Sequence, residues 1–163
     1  MPVEDAGPIL EVKNLSMHFT SRRRRRTTVV KAVDDVSFTI NKGETFGLVG
    51  ESGCGKTTLG RTIIRLYNPT SGTVKFGGRE ISGRMTRELR KYLTSNIAMI
   101  VQDPIASLNP RMTVQEIVGE GLIIRGLKDS AERESRVKLM LEKVGLQAEH
   151  AARYPHEVSG GQR

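Results

Sequence analysis

The sequence predicts an α/β protein with a core sheet, an N-terminal antiparallel β portion and a helical insertion. Two short apolar runs, at residues 45–49 (TFGLV) and 96–101 (NIAMIV), are typical of buried strands. A glycine-rich loop directly follows the first run, and a helix is expected over about 56–66. Apolar stripes of helical spacing then indicate the insertion, at about 109–156.

Shorter patterns predict the N-terminal β portion. Residues 9–15 (ILEVKNL) alternate as in a half-buried strand, and residues 36–40 (VSFTI) form a second candidate strand before an Asn-Lys-Gly turn. The arginine run at 22–26 interrupts what resembles a hairpin between them. A third strand is expected at 73–76, and one or two basic helical turns at 86–93.

Start signals mark two helices in the insertion. Thr113 is followed three residues later by Glu116, as in a capping box, and Asp129 with Glu132 repeats the pattern. Gly145 is a stop signal. The apolar residues between these signals are interpreted as core: Val114, Ile117, Val118, Val137, Met140, Leu141 and Val144.

Composition indicates a soluble globular chain. Of its 163 residues, 37% are hydrophobic and 27% charged. The acidic N-terminus has no apolar signal core, which argues against secretion. The single cysteine, Cys54, has no internal disulfide partner and favours a reducing cytoplasm.

The net charge of +8 owes much to the arginine run. The simplest interpretation of the run is a solvated loop. An anionic membrane surface would also attract it. Nucleic-acid binding is disfavoured, because aromatics are only 4% of the chain and none lies within the run. The sequence does not decide between loop and membrane contact.

The glycine-rich loop carries the strongest chemical signal. It fits G-x-x-x-x-G-K-[ST] between a strand and a helix, the setting of a phosphate-binding P-loop, and predicts binding of ATP with Mg²⁺. Lys56 is expected to reach the β- and γ-phosphates and Thr57 to ligate Mg²⁺. The side chain of Cys54 need not contact nucleotide at this position, and redox sensing by its thiol is a minor alternative. The nucleotide-binding residues are Gly50, Glu51, Ser52, Gly53, Cys54, Gly55, Lys56, Thr57 and Thr58.

Two later motifs narrow the choice among P-loop proteins. Gln102 ends an apolar run in VQDP, and Ser159-Gly160-Gly161-Gln162 follows the helical segment. In this order the motifs resemble the ATP-binding cassette family, whose signature is LSGGQ. Val158 stands where that signature has leucine. The resemblance implies a P-loop NTPase core sheet.

The resemblance also implies roles. Gln102 matches the Q-loop glutamine, which senses the γ-phosphate and Mg²⁺. Ser159, Gly160, Gly161 and Gln162 match the signature, which grips ATP held by a partner cassette, so a dimer is implied. Phe19, in LSMHF, matches the aromatic that stacks on adenine, and simple core packing is an equal alternative.

The segments QDPIASLNPRMTVQEIVGE and RYPHEVSGGQR resemble the cassette subunits of oligopeptide and dipeptide importers. The resemblance implies ATP hydrolysis that drives import of peptides, nickel, glutathione or another small solute. Implied partners are a second cassette (identical or different), transmembrane permease subunits and, indirectly, an extracytoplasmic solute-binding protein. The implied location is peripheral, on the cytoplasmic face of the inner membrane. No nucleic acid is expected.

The family's Walker B carboxylates, D-loop and switch histidine are not found before Arg163. We therefore expect residues 1–163 to be a partial domain, without a catalytic residue and without useful ATPase activity alone. A chromosome or repair ATPase would place a long coiled coil between Gln102 and Ser159, which are only 57 positions apart (159 − 102). Besides the importer subunit and the chromosome or repair ATPase, a third hypothesis is a non-functional fragment that retains the family motifs.

Overall fold

A computed structural model describes residues 7–23, 26–102, 107–159 and 161. The first described elements are two long antiparallel strands, β1 (Pro8–Arg23) and β2 (Arg26–Asn41), paired from Pro8↔Asn41 to Arg23↔Arg26. Both predicted strands are confirmed but are longer than expected. The described arginines of the run, at 22, 23 and 26, lie within the paired strands rather than interrupting them, and β-branched residues 27–30 continue the ladder opposite residues 19–22.

Two further strands complete an antiparallel sheet. Strand β3 (Ser71–Phe76) pairs with β1, and β4 (Arg79–Glu80) pairs with β3 through a turn at Gly77 and Gly78. Both glycines have positive φ, as a tight hairpin turn requires. The strand order is β2-β1-β3-β4.

Two helices belong to the same unit, Met1–Met99: α1 (Lys56–Ile63) and α2 (Arg87–Asn96). The predicted helical turn at 86–93 is confirmed, and the Thr86 side chain caps α2 by accepting from the Leu89 N–H. One hydrophobic core joins sheet and helices: Leu10, Val12, Leu15, Met17, Val33, Leu59, Val74, Ile81, Leu89 and Leu93.

The second unit is Ile100–Arg163, and its described secondary structure is helical. It contains α3 (Val114–Ile124), α4 (Ser130–Lys143) and two 3₁₀ turns, Ala148–Ala152 and Pro155–Glu157. Both predicted start signals are confirmed: Thr113 and Glu116 form a capping box, and Asp129 caps α4. The buried core of this unit is Leu122, Val137, Leu141 and Ala151.

The predicted apolar stripe of α4 is only partly correct. Val137 and Leu141 are buried, whereas Met140 and Val144 are 42% and 71% exposed. The described core of this unit covers only one side of α4, so the rest of the stripe faces outward. None of the helices in the described part of the chain combines the length and apolar character needed to cross a membrane.

The two predicted core strands do not form. Neither residues 45–49 nor residues 96–101 are assigned as strand, and Asn96 ends α2. Ile97 has the extended φ/ψ of a strand, but a strand also needs a neighbouring backbone to pair with. No described strand pairs with either segment, and Val49 and Ile100 are 92% and 96% exposed.

Candidate phosphate-binding site

Two glycines shape the P-loop for different reasons. Gly53 has φ +84° and Gly55 has φ +98°, both in the left-handed region that glycine adopts without strain. A Cβ at Gly53 would meet open space, whereas a Cβ at Gly55 would lie well inside 3.0 Å of the Ala32 carbonyl oxygen on β2. The loop therefore passes so close to the sheet at Gly55 that no side chain fits.

Helix α1 begins without a side-chain cap. Gly55 is the N-cap residue, and the first turn contains no acidic residue. The first intrahelical bond runs from the Leu59 N–H to the Gly55 carbonyl, at 2.8 Å. The N–H groups of the first turn have no intrahelical acceptor, and the helix dipole adds positive potential there. This helix start is therefore suited to bind an anion through backbone N–H groups.

Lys56 folds back over the loop that precedes it. Its Nζ donates to the carbonyl oxygens of Gly50 (2.7 Å) and Glu51 (2.6 Å) and lies 3.6 Å from Cys54 Sγ. The side chain of Lys56 is half-buried, while Cys54 is exposed. One ammonium thus braces the loop and adds a full positive charge beside the uncapped helix start.

Some of the residues that follow Lys56 on α1 are exposed to solvent, and others are buried in the core. Thr57 is exposed in the first turn, where its hydroxyl oxygen is a suitable ligand type for a hard cation. The carbonyl oxygen of Thr58 accepts a hydrogen bond from the buried Thr62 hydroxyl, at 2.7 Å. The described residues contain no group of three His, Cys, Asp or Glu side chains able to hold a metal ion.

Phe19 lies on β1 and is 39% exposed. Its ring meets Tyr67 edge-on, with centroids 5.4 Å apart, and the Tyr67 hydroxyl accepts from Arg61 of α1 at 3.3 Å. Phe19 is therefore packed on one side and open on another. The packing alternative and the adenine-stacking role both fit this placement, and the stacking role stays a prediction.

The remaining predicted site residues belong to the helical unit. Gln102 and Ser159 are exposed, Gly161 is described, and Gly160 and Gln162 lie outside the described residues. Val158, which replaces the signature leucine, is buried in the wall of an apolar cavity between α3 and α4. The P-loop belongs to the other unit, so the roles of these residues stay predictions.

Sequence reasoning missed Arg65, which follows α1 with φ +64° and is buried. Its guanidinium donates to the carbonyl oxygens of Ile81 and Gly83 and to Asn68 Oδ1. Burial away from water lowers the pKa of Arg65. The residue ties the end of the P-loop helix to the segment after β4. An isolated arginine gives no sequence signal for contacts 16 and 18 residues away.

Comparison with known proteins agrees with this geometry. The profile of the ABC transporter family matches residues 33–163, which is most of the chain. This chain belongs to the ABC transporter family. The family assignment predicted from the P-loop, Gln102 and the SGGQ segment is confirmed.

Among ABC transporter proteins, the oligopeptide transport ATP-binding protein OppF of Bacillus subtilis is 57% identical over 156 residues. That match covers 95% of this chain and 50% of OppF. The dipeptide transport ATP-binding protein DppF of Lactococcus lactis is 50% identical over 158 residues, covering 95% of this chain and 49% of DppF. The chain thus spans about half the length of these relatives.

Solved ABC transporter cassettes share the fold. The ATP-binding cassette MJ0796, a dimer in a post-hydrolysis state with ADP and Pi, matches with a TM-score of 0.77 and 29% identity. The match covers 94% of this chain and 64% of that one. The cassette cbiO1 of Clostridium perfringens matches with a TM-score of 0.71 and 26% identity, covering 95% and 57%. The predicted α/β cassette class is confirmed for the part of the fold that this chain contains.

Proposed function

We propose that this chain is part of an ATP-binding subunit that energises a membrane importer of peptides or similar small solutes. The observation that carries the proposal is the uncapped start of α1, with the Lys56 ammonium held beside it. A polyphosphate supplies the negative charge that this arrangement lacks. The importer class is supported by similarity to OppF and DppF, which are named as oligopeptide and dipeptide transport proteins.

Nucleotide binding uses the chain's own donors. The β- and γ-phosphate oxygens of ATP accept hydrogen bonds from the loop and first-turn N–H groups. Lys56 turns from the carbonyl oxygens of Gly50 and Glu51 toward the phosphates. Mg²⁺ would be held by the Thr57 hydroxyl, a hard oxygen donor of the kind it prefers. Gln102 is a second ligand only as the family resemblance implies it. When bound, Mg²⁺ neutralises phosphate charge.

A second cassette completes the site in this proposal. The signature residues Ser159, Gly160, Gly161 and Gln162 grip the ATP bound to the P-loop of that partner, which is an identical or a different chain. The MJ0796 cassette supports such pairing, since its solved structure is a dimer that is bound to ADP and Pi. Hydrolysis of ATP in the dimer then drives transport.

The transmembrane partner is proposed to bind at residues 109–112, where the sequence resembles peptide importers. Asn109 folds this segment into a turn, since its side chain accepts from the Arg111 N–H (3.1 Å) and its carbonyl from the Met112 N–H (3.2 Å). Asn109, Pro110 and Arg111 are exposed. The proposed location is therefore peripheral, on the cytoplasmic face of the inner membrane. An extracytoplasmic solute-binding protein would be an indirect partner.

The test is the affinity for MgATP, measured by calorimetry on Lys56→Ala. A hydrogen bond to a charged group contributes about 1.5–3 kcal/mol net, so affinity should fall roughly 10- to 150-fold. Lys42→Ala is the matched control, because it removes an exposed lysine from the turn after β2. Equal MgATP affinity of Lys56→Ala and the unmodified chain would contradict the proposal, as would an equal loss in the control.

A further inference from the structure

The far end of the β1–β2 hairpin has no part in the proposed nucleotide site. We call its described residues, 20–22 and 26–30, the basic ribbon end. All of these side chains are exposed. The strands remain paired throughout, with Thr20 opposite Val29 and Arg22 opposite Thr27. The basic ribbon end is thus an ordered two-stranded projection.

The described arginines of this projection have no acidic neighbour that would neutralise their charge. Between Glu11 and Asp34 the sequence has no acidic residue, and positions 22–26 are all arginine. Within the described part of the chain, neither Arg22 nor Arg26 has an ion-pair partner. Arg22 and Arg26 therefore carry unpaired positive charge at the end of the ribbon.

The middle of the hairpin, around Asp34, differs from its end. Asp34 there binds Lys31 at 3.1 Å and His18 at 3.2 Å. The hydrogen bond from Lys31, followed by that from His18, lowers the pKa of Asp34. Charge in this middle region is therefore balanced locally, and the unbalanced charge lies between Lys31 and the end of the hairpin.

Exposed apolar side chains accompany the arginines. Val29 and Val30 are 53% and 57% exposed. Arg22 pairs with Thr27, so their side chains lie on the same face of the ribbon. Val29 lies two residues after Thr27 on β2 and therefore, by the alternation of side chains along a strand, shares that face. The same alternation places Val30 on the face of Arg26. Each face of the ribbon therefore combines a cation with an aliphatic side chain.

We propose that the basic ribbon end docks on a membrane surface rich in anionic lipid. Anionic headgroups attract clustered arginines at about 1 kcal/mol for each residue near the surface, or roughly a five-fold gain in affinity. Exposed valines fit the apolar boundary beneath the headgroups. This contact goes beyond the proposed importer function, since the chain itself would touch lipid.

Single-stranded nucleic acid fits the surface less well. Such sites stack bases on aromatic side chains, and residues 20–31 contain none. Charge complementarity combined with exposed valines therefore favours a lipid surface.

Docking leaves the phosphate site untouched. The ribbon contacts the P-loop at Ala32, next to Gly55. Arg26 lies six residues before Ala32 on β2, a distance of about 20 Å in an extended strand. Substitutions of Arg22 and Arg26 should therefore not alter nucleotide binding, and the two proposals can fail independently.

The experiment is co-sedimentation of the full chain with lipid vesicles at low ionic strength. Vesicles of phosphatidylcholine with phosphatidylserine should bind the chain, and vesicles of phosphatidylcholine alone should not. Arg22→Gln/Arg26→Gln should weaken binding about 25-fold, and added salt should weaken binding of the unmodified chain. Lys42→Gln/Arg84→Gln is the matched control: it removes the same charge from exposed positions outside the ribbon and should change binding less than about two-fold.

Three results would overturn the proposal. One is equal binding of the unmodified chain to both kinds of vesicle. Another is an equal loss in the control, which would mean that only net charge matters. The third is arginine-dependent binding of a single-stranded oligonucleotide without binding to anionic vesicles. Circular dichroism of each variant checks that the strands are retained, and an exposed ribbon position should tolerate glutamine.

Discussion

Replacing Gly55 with alanine tests how the sheet constrains the phosphate loop. Two costs follow from the structure. Alanine in the left-handed region costs about 1–2 kcal/mol. The added Cβ would also collide with the Ala32 carbonyl oxygen on β2, a backbone atom that cannot rotate away. Forcing such a contact apart typically costs a further 1–3 kcal/mol, so the free energy of unfolding should fall by about 2–5 kcal/mol in total.

Gly53→Ala is the matched control, because Gly53 also has positive φ but an added Cβ there meets open space. Only the strain of about 1–2 kcal/mol should apply. For a chain of this size, about 1 kcal/mol shifts the unfolding midpoint by roughly 2–4 °C. Thermal unfolding followed by circular dichroism should therefore separate the two variants by roughly 2–12 °C. MgATP affinity should fall further in Gly55→Ala, since the helix start must move. Equal midpoints for both variants would refute the argument that crowding against β2 fixes the loop.

Two further predictions concern the helical core and one surface carboxylate. Leu141→Ala should lower the stability of α4 by about 2–5 kcal/mol, whereas Leu139→Ala, at a position 51% exposed, should change it by less than about 0.5 kcal/mol. Hydrogen exchange of the α4 amides measures the difference, and equal effects would contradict the packing described for this helix. Asp34 has a pKa below its usual 3.8, so its ion pairs stabilise the fold fully above that pH and lose effect as the pH falls through the lowered value. Thermal unfolding should show an advantage of the unmodified chain over Asp34→Asn that shrinks below pH 3.8, and a constant difference would be the contrary result.

Local chemistry was sufficient to predict several elements. The start of α1 at Lys56 follows from a glycine loop before a helix-forming run, and the caps at Thr113 and Asp129 depend on contacts only three residues long. The family also followed from short motifs, because phosphate-binding loops need fixed residue types at fixed spacing.

Long-range packing could not be predicted in the same way. Arg65 is held by carbonyl oxygens that only the folded chain brings near it. Residues 45–49 have the composition of a buried strand, but composition predicts burial without supplying the neighbour, and Val49 is exposed in the described structure. On α4, periodicity identified an apolar stripe but not how much of it the unit covers, as Met140 shows.

The position of the Lys56 ammonium has a consequence for the energetics of ligand exchange. Two carbonyl oxygens of its own loop, from Gly50 and Glu51, already satisfy it. An incoming phosphate must therefore compete with internal acceptors rather than meet an unoccupied cation. The net affinity that Lys56 contributes is the difference between these two sets of hydrogen bonds. A ligand with too little negative charge would not displace the two carbonyl oxygens from the Lys56 ammonium. Such a ligand would bind through backbone N–H groups alone.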